Sequence, residues 1–161
     1  MHTNLTATGL PIIQIGFFSD WNTCRHRYTH VELRFSDYTV TSITRYPGRV
    51  HLIQDKKMSN PRYRGFFEVA TTFDNEAKMR HYAETCTEGF SSFSMYWNFI
   101  VPFCPIRRWG FFCSAYICKL LQIGGFCEGM DPYRASPDDL FKELTSDDRV
   151  VCSFNNVRGF Y

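Results

Sequence analysis

Alternation of apolar and polar positions predicts strands through most of the first third of the chain. Leu10-Pro11-Ile12-Ile13-Gln14-Ile15-Gly16-Phe17-Phe18 is a short apolar run, rich in β-branched residues, of the kind that fills a buried strand. After a polar loop from Ser19 to Thr29, the segment His30-Val31-Glu32-Leu33-Arg34-Phe35 alternates without a break. A period of two puts His30, Glu32 and Arg34 on one face and Val31, Leu33 and Phe35 on the other. Ser36-Asp37-Tyr38 reads as a tight turn into Thr39-Val40-Thr41-Ser42-Ile43-Thr44, and Pro47-Gly48 as a second turn before Arg49-Val50-His51-Leu52-Ile53. Together these predict an antiparallel meander. Phe66-Phe67-Glu68-Val69-Ala70 is a further strand, and Val150-Val151-Cys152-Ser153-Phe154 the last.

Helical spacing takes over in three places. Asp74 is the expected N-cap of a helix with Glu76 in its first turn, running to about Glu88 and ended by Gly89. From Phe112 onward, Ala115, Cys118, Leu121 and Gln122 recur at three- and four-residue intervals. Ile117, Leu120 and Ile123 widen that apolar face up to Gly124-Gly125. Ser136-Pro137-Asp138-Asp139 combines an N-cap serine, a proline at the first helical position and two acids in the first turn. Between the first two helices, Phe90 to Phe103 is aromatic and predicts a short buried helix or an irregular segment under the core. There is no repeat, low-complexity tract or linker. The expectation is one α+β domain over 1–161, an antiparallel sheet packed against helices.

Composition narrows the class without naming a function. The chain has 161 residues, within the ~100–200 usual for one domain, and 44 % of them are hydrophobic. That excludes disorder, collagen and coiled coil. A net charge of +2 is too balanced to argue for nucleic acid or an acidic membrane surface as a partner. No apolar run approaches the ~18 residues of a spanning helix, and the polar N-terminus resembles neither a signal nor a transit peptide. Seven cysteines, Cys24, Cys86, Cys104, Cys113, Cys118, Cys127 and Cys152, contain no C-x-x-C pair. Their spacing does not favour a tetrahedral zinc site, and no cofactor or metal is expected. Reduced thiols in a cytoplasmic setting are the expected state.

Among the seven, Cys113 is placed differently. It follows Trp109-Gly110-Phe111-Phe112 and opens a predicted helix. A thiol there feels the positive end of the helix dipole and unsatisfied N–H groups, which favour the nucleophilic thiolate. Ser114 is a candidate cap for the same turn. A base for this thiol has several candidates: His30 with Glu32 on its face, His26 and His51. The plainer readings are a small buried cysteine, a surface histidine and a solvated strand glutamate.

The string Thr29-His30-Val31-Glu32-Leu33-Arg34-Phe35-Ser36-Asp37 resembles the histidine strand of circularly permuted papain-like cysteine hydrolases, the permuted branch of the NlpC-like superfamily. Trp109-Gly110-Phe111-Phe112-Cys113-Ser114-Ala115-Tyr116 is similar to that branch's cysteine block. The histidine strand precedes the cysteine helix, as in the permuted order, and the likeness spans roughly Ile12 to Leu144. Where the family usually has glycine after Ser-Asp, this chain has Tyr38. The resemblance implies a permuted papain-like fold with Cys113 as nucleophile and His30 as general base. Glu32 would orient the histidine, with Ser42 on the next strand or His51 as alternatives. It implies a thiol-dependent peptidase or amidase acting on a peptide, protein or other acyl substrate. The other outcomes are a lipid acyltransferase or phospholipase of the lecithin retinol acyltransferase type and an inactive binding module. For the lipid outcome, Phe90 to Phe112 is the stretch that would meet lipid, against its plainer role as core. A viral, phage or bacterial source, and hence host cytoplasm or a virion, follows from the resemblance alone.

Overall fold

The structure is a computed structural model and describes residues 3–18, 28–44, 48–54, 63–91 and 112–153. Its strands are β1 (Ile12–Phe18), β2 (His30–Arg34), β3 (Val40–Ile43), β4 (Val50–Ile53), β5 (Tyr63–Ala70) and β6 (Val150–Ser153). Three helices complete the described elements: α1 (Phe73–Thr85), α2 (Cys113–Ile123) and α3 (Pro137–Ser146). The architecture is α+β, with a six-stranded antiparallel sheet in the order β4-β3-β2-β1-β5-β6.

The predicted meander forms the half β1-β2-β3-β4, with Ile15 opposite Leu33, Leu33 opposite Thr41 and Ser42 opposite His51. The other half closes at long range. β5 returns to the free edge of β1, pairing Ile15 with Phe67, and β6 then pairs Cys152 with Phe67. Alternation sends Ile13, Ile15 and Phe17 of β1, Val31 and Leu33 of β2, and Phe67 and Val69 of β5 to one face, where all are fully buried with α2 and α3 residues in one cluster. Gly65 in β5 lets α3 come close, since a Cβ there would lie 2.8 Å from the Phe141 ring.

Several boundaries differ from the pattern. Leu10 lies outside β1 and is 40 % exposed, because the chain there makes a bridge from Leu5 to Pro11 before the strand begins. The N-cap of α1 is Thr72, not Asp74: the Thr72 hydroxyl accepts from the Asn75 N–H at 3.1 Å, which places Asp74 inside the first turn. That helix ends at Thr85, with Cys86 extended, and Gly89 instead bridges to Arg49. α3 follows its start signal, with a reciprocal capping box between Ser136 and Asp139. Tyr38 takes the left-handed conformation, φ 67°, that a glycine would take in the β2–β3 turn. Arg34 lies 5.0 Å over the Tyr38 ring there. The polar loop 19–27, the aromatic segment from 92 to 111 and Phe154 lie outside the described residues. No described helix is long and apolar enough to cross a membrane.

Candidate active site

α2 is buried on nearly every side, since Cys113 through Cys118, Leu120 and Leu121 are all buried and Lys119 is exposed. Its entry point is therefore held by packing rather than by a cap. Phe112 is the N-cap and contributes no side-chain bond. Ser114 does not cap this turn: its Oγ is fully buried with no hydrogen-bond partner. Three residues beyond Cys113, the Tyr116 hydroxyl meets Thr41 Oγ1 at 2.8 Å. That bond fixes the helix on β3, in the strand that carries Ser42.

The start of β2 brings His30 to this helix end. The His30 side chain is 25 % exposed, while that of Glu32, two positions on, is 5 % exposed. Glu32 Oε1 lies 3.5 Å from His30 Nε2. Ser42 Oγ reaches the same nitrogen at 3.2 Å and the Val31 carbonyl at 3.3 Å. His30 is also hydrogen-bonded to the thiol of Cys113. The Phe18 ring stands 5.4 Å from the imidazole on its β1 side.

Charge follows from this arrangement. Burial alone would lower the His30 pKa, yet the Cys113 sulfur, by charge and hydrogen bond, and Glu32, by the same two means, raise it to about 9. Burial pushes the Cys113 thiol up, but the imidazolium charge and hydrogen bond of His30 outweigh it. Backbone N–H groups of Val31 and Ser114 add to the effect, so the thiol lies below its ordinary value. Both shifts run toward the thiolate and imidazolium forms of the pair. Two other thiols behave oppositely: burial raises both Cys118 and Cys127 to about 12.

Four residues singled out in the sequence thus come together: Cys113, His30, Glu32 and Ser42. His51 lies one strand further, directly opposite Ser42 on β4. His26, Cys24 and Cys104 fall outside the described residues. Glu32 is not the solvated strand residue that alternation alone would make it, being 3 % exposed. The Ser114 N–H at the sulfur belongs to the helix start expected there, while the Val31 N–H is a backbone donor from β2 with no side-chain signature in the sequence. Among the described residues, no group of three or more histidine, cysteine or acidic side chains could hold a metal ion. No protein-family model, curated protein or solved structure matches this chain.

Proposed function

We propose that the chain is a cysteine hydrolase of circularly permuted papain-like architecture, acting on an amide or related acyl bond. One observation carries this reading: a thiol at a helix N-terminus is hydrogen-bonded to a histidine whose Nε2 is held by a buried carboxylate and a hydroxyl. In the reaction, the Cys113 thiolate adds to the carbonyl carbon, a C–S bond forms, and the carbonyl π pair moves onto oxygen. The N–H of Cys113, at the start of α2, donates to that oxyanion, an interaction worth ~2.7–4 kcal/mol of barrier in known cases. The tetrahedral species collapses with loss of the leaving group, which takes a proton from His30. Water then adds to the thioester as His30 accepts its proton, and collapse releases the acid and restores the thiolate.

Alkylation by iodoacetamide, followed cysteine by cysteine by mass spectrometry at neutral pH, tests the nucleophile. Cys113 should react fastest, and His30→Ala should slow it at least about tenfold, the loss that accompanies removal of a positioned base partner. Uniform labelling of all cysteines, unchanged in His30→Ala, overturns the assignment. A panel of peptide, ubiquitin-like and phospholipid substrates then reads the acyl group and the acceptor.

A further inference from the structure

Among the described side chains of the site, two stay partly open to solvent, and one of them is apolar. Phe112, Cys113, Ser114, Glu32 and Ser42 are all buried. His30 is 25 % exposed, and Phe18, its partner across the β1–β2 pairing, is half-buried. Directly paired residues of antiparallel strands point to one face, so Phe18 shares the face of His30. Phe17 turns the other way, into the core against Tyr28, Phe67 and Phe141. Between Phe17 and Phe18 the pairing of β1 with β5 shifts register, from Gly65 to Tyr63. An irregularity of that kind re-aims a side chain, and sheets often place it beside active sites. The Phe18 ring stands 5.4 Å from the imidazole, tilted 46° to it, and packs against Val40 and Phe66, a small cluster apart from the main core.

We propose that Phe18 is a specificity-determining residue: its ring is the wall for an apolar side chain of amino-acid size that flanks the scissile bond of a peptide-like substrate. The inference rests on the thiol chemistry proposed above and names the substrate class of that site. A carbonyl attacked by Cys113 comes to lie beside His30, since the two are hydrogen-bonded, and the groups flanking it reach the neighbouring ring. Glu32 and Ser42 are buried and turned to His30, so a flanking group meets the phenyl ring, where covering apolar area is what stabilises the complex. One ring, already packed in part on Val40 and Phe66, has area for a single side chain and not for a lipid chain.

N-substituted iodoacetamides test this without a known substrate. Rates of Cys113 alkylation by iodoacetamide, N-benzyl-iodoacetamide and N-octyl-iodoacetamide are each divided by the rate for glutathione, which removes the intrinsic reactivity of the reagents. In the native protein the N-benzyl ratio should exceed the iodoacetamide ratio about three- to tenfold, part of the discrimination that an enclosed apolar pocket achieves. Phe18→Ala should bring the two ratios together, and Phe18→Leu, which keeps an apolar wall, should retain part of the preference. A general loss of thiol reactivity slows every reagent alike, so a purely structural role for Phe18 would leave the ratios where they are.

Equal ratios in the native protein overturn the proposal, and so does a preference that survives Phe18→Ala. A ratio that keeps climbing from N-benzyl to N-octyl points to a lipid chain and overturns it as well. Should Phe18→Ala fail to fold, Phe18→Gln, closer in size to the native residue, should lose the preference in its place. The hydrolase reading fails separately, through a Cys113 that iodoacetamide labels no faster than the other cysteines, and the ratios at Cys113 are read in either case.

Discussion

At Cys113 and His30 each pKa shift favours the charged form of its group, and the pH dependence of the site follows from that coupling. An ordinary thiol, with its pKa near 8.5, alkylates about tenfold faster for each pH unit gained below that value. The imidazolium holds the Cys113 pKa down, so its ionisation is shifted to lower pH. Its alkylation rate should therefore rise less steeply through neutral pH than that of an ordinary thiol, then climb as His30 loses its proton near 9. A rate rising about tenfold per pH unit from pH 6 to 8 would show an unperturbed thiol. Stability carries the same signature. His30, raised from 6.5 to about 9, contributes stability that is full below 6.5 and lost as pH rises through 9. Cys113, lowered from 9.0, contributes stability present above 9.0 and lost as pH falls through its depressed value. Between 6.5 and 9 the two dependences have opposite signs and oppose each other. The difference in urea unfolding free energy between the native protein and a Cys113→Ala, His30→Ala double variant should vary little across that window and shrink on acidification. A difference that changes steadily through the window would show that the two do not oppose.

The site exists because α2 is packed on the sheet, and one buried hydrogen bond joins the two. Tyr116 and Thr41 are both fully buried and bond at 2.8 Å. Tyr116→Phe keeps the ring and strands the Thr41 hydroxyl, which should cost about 1–3 kcal/mol in urea unfolding. Because Thr41 adjoins Ser42, the same variant should also slow Cys113 alkylation at neutral pH. A loss of stability with unchanged alkylation would confine the bond to packing. At this scale the sequence was a good guide wherever the signal was local. Alternation placed β2 and its faces, and Ser136-Pro137 marked the start of α3. It misplaced the start of α1 because Thr72 and Asp74 are both good caps, and their competition is settled by where the chain leaves β5. It left the third member of the site open among Glu32, Ser42 and His51, since a period of two reports a face and says nothing of what covers it. The contacts of Glu32 and Ser42 with one imidazole nitrogen come from strand pairing and twist, which the alternation does not encode.

The whole molecule unites residues that are far apart in the chain. β1 is paired on one side by β2 and on the other by β5, and the C-terminal β6 is added beyond it. His30, Ser42 and Cys113 meet only when this sheet and α2 are both in place. The thiolate character of Cys113 is therefore a property of the fold, while that of an ordinary buried thiol is suppressed by the fold. This opposition gives unfolding two signs in one experiment. At pH near 6, where an unfolded cysteine is almost wholly protonated, urea should slow alkylation of Cys113 despite exposing it, because its imidazolium partner is lost. The same urea should accelerate Cys118 and Cys127, which are 0 % and 5 % exposed in the fold and held near pKa 12 by burial. Both changes should share the midpoint of the unfolding curve seen by circular dichroism. If Cys113 instead sped up with the other two, burial alone would govern its reactivity, and the ion pair with His30 would have no chemical consequence.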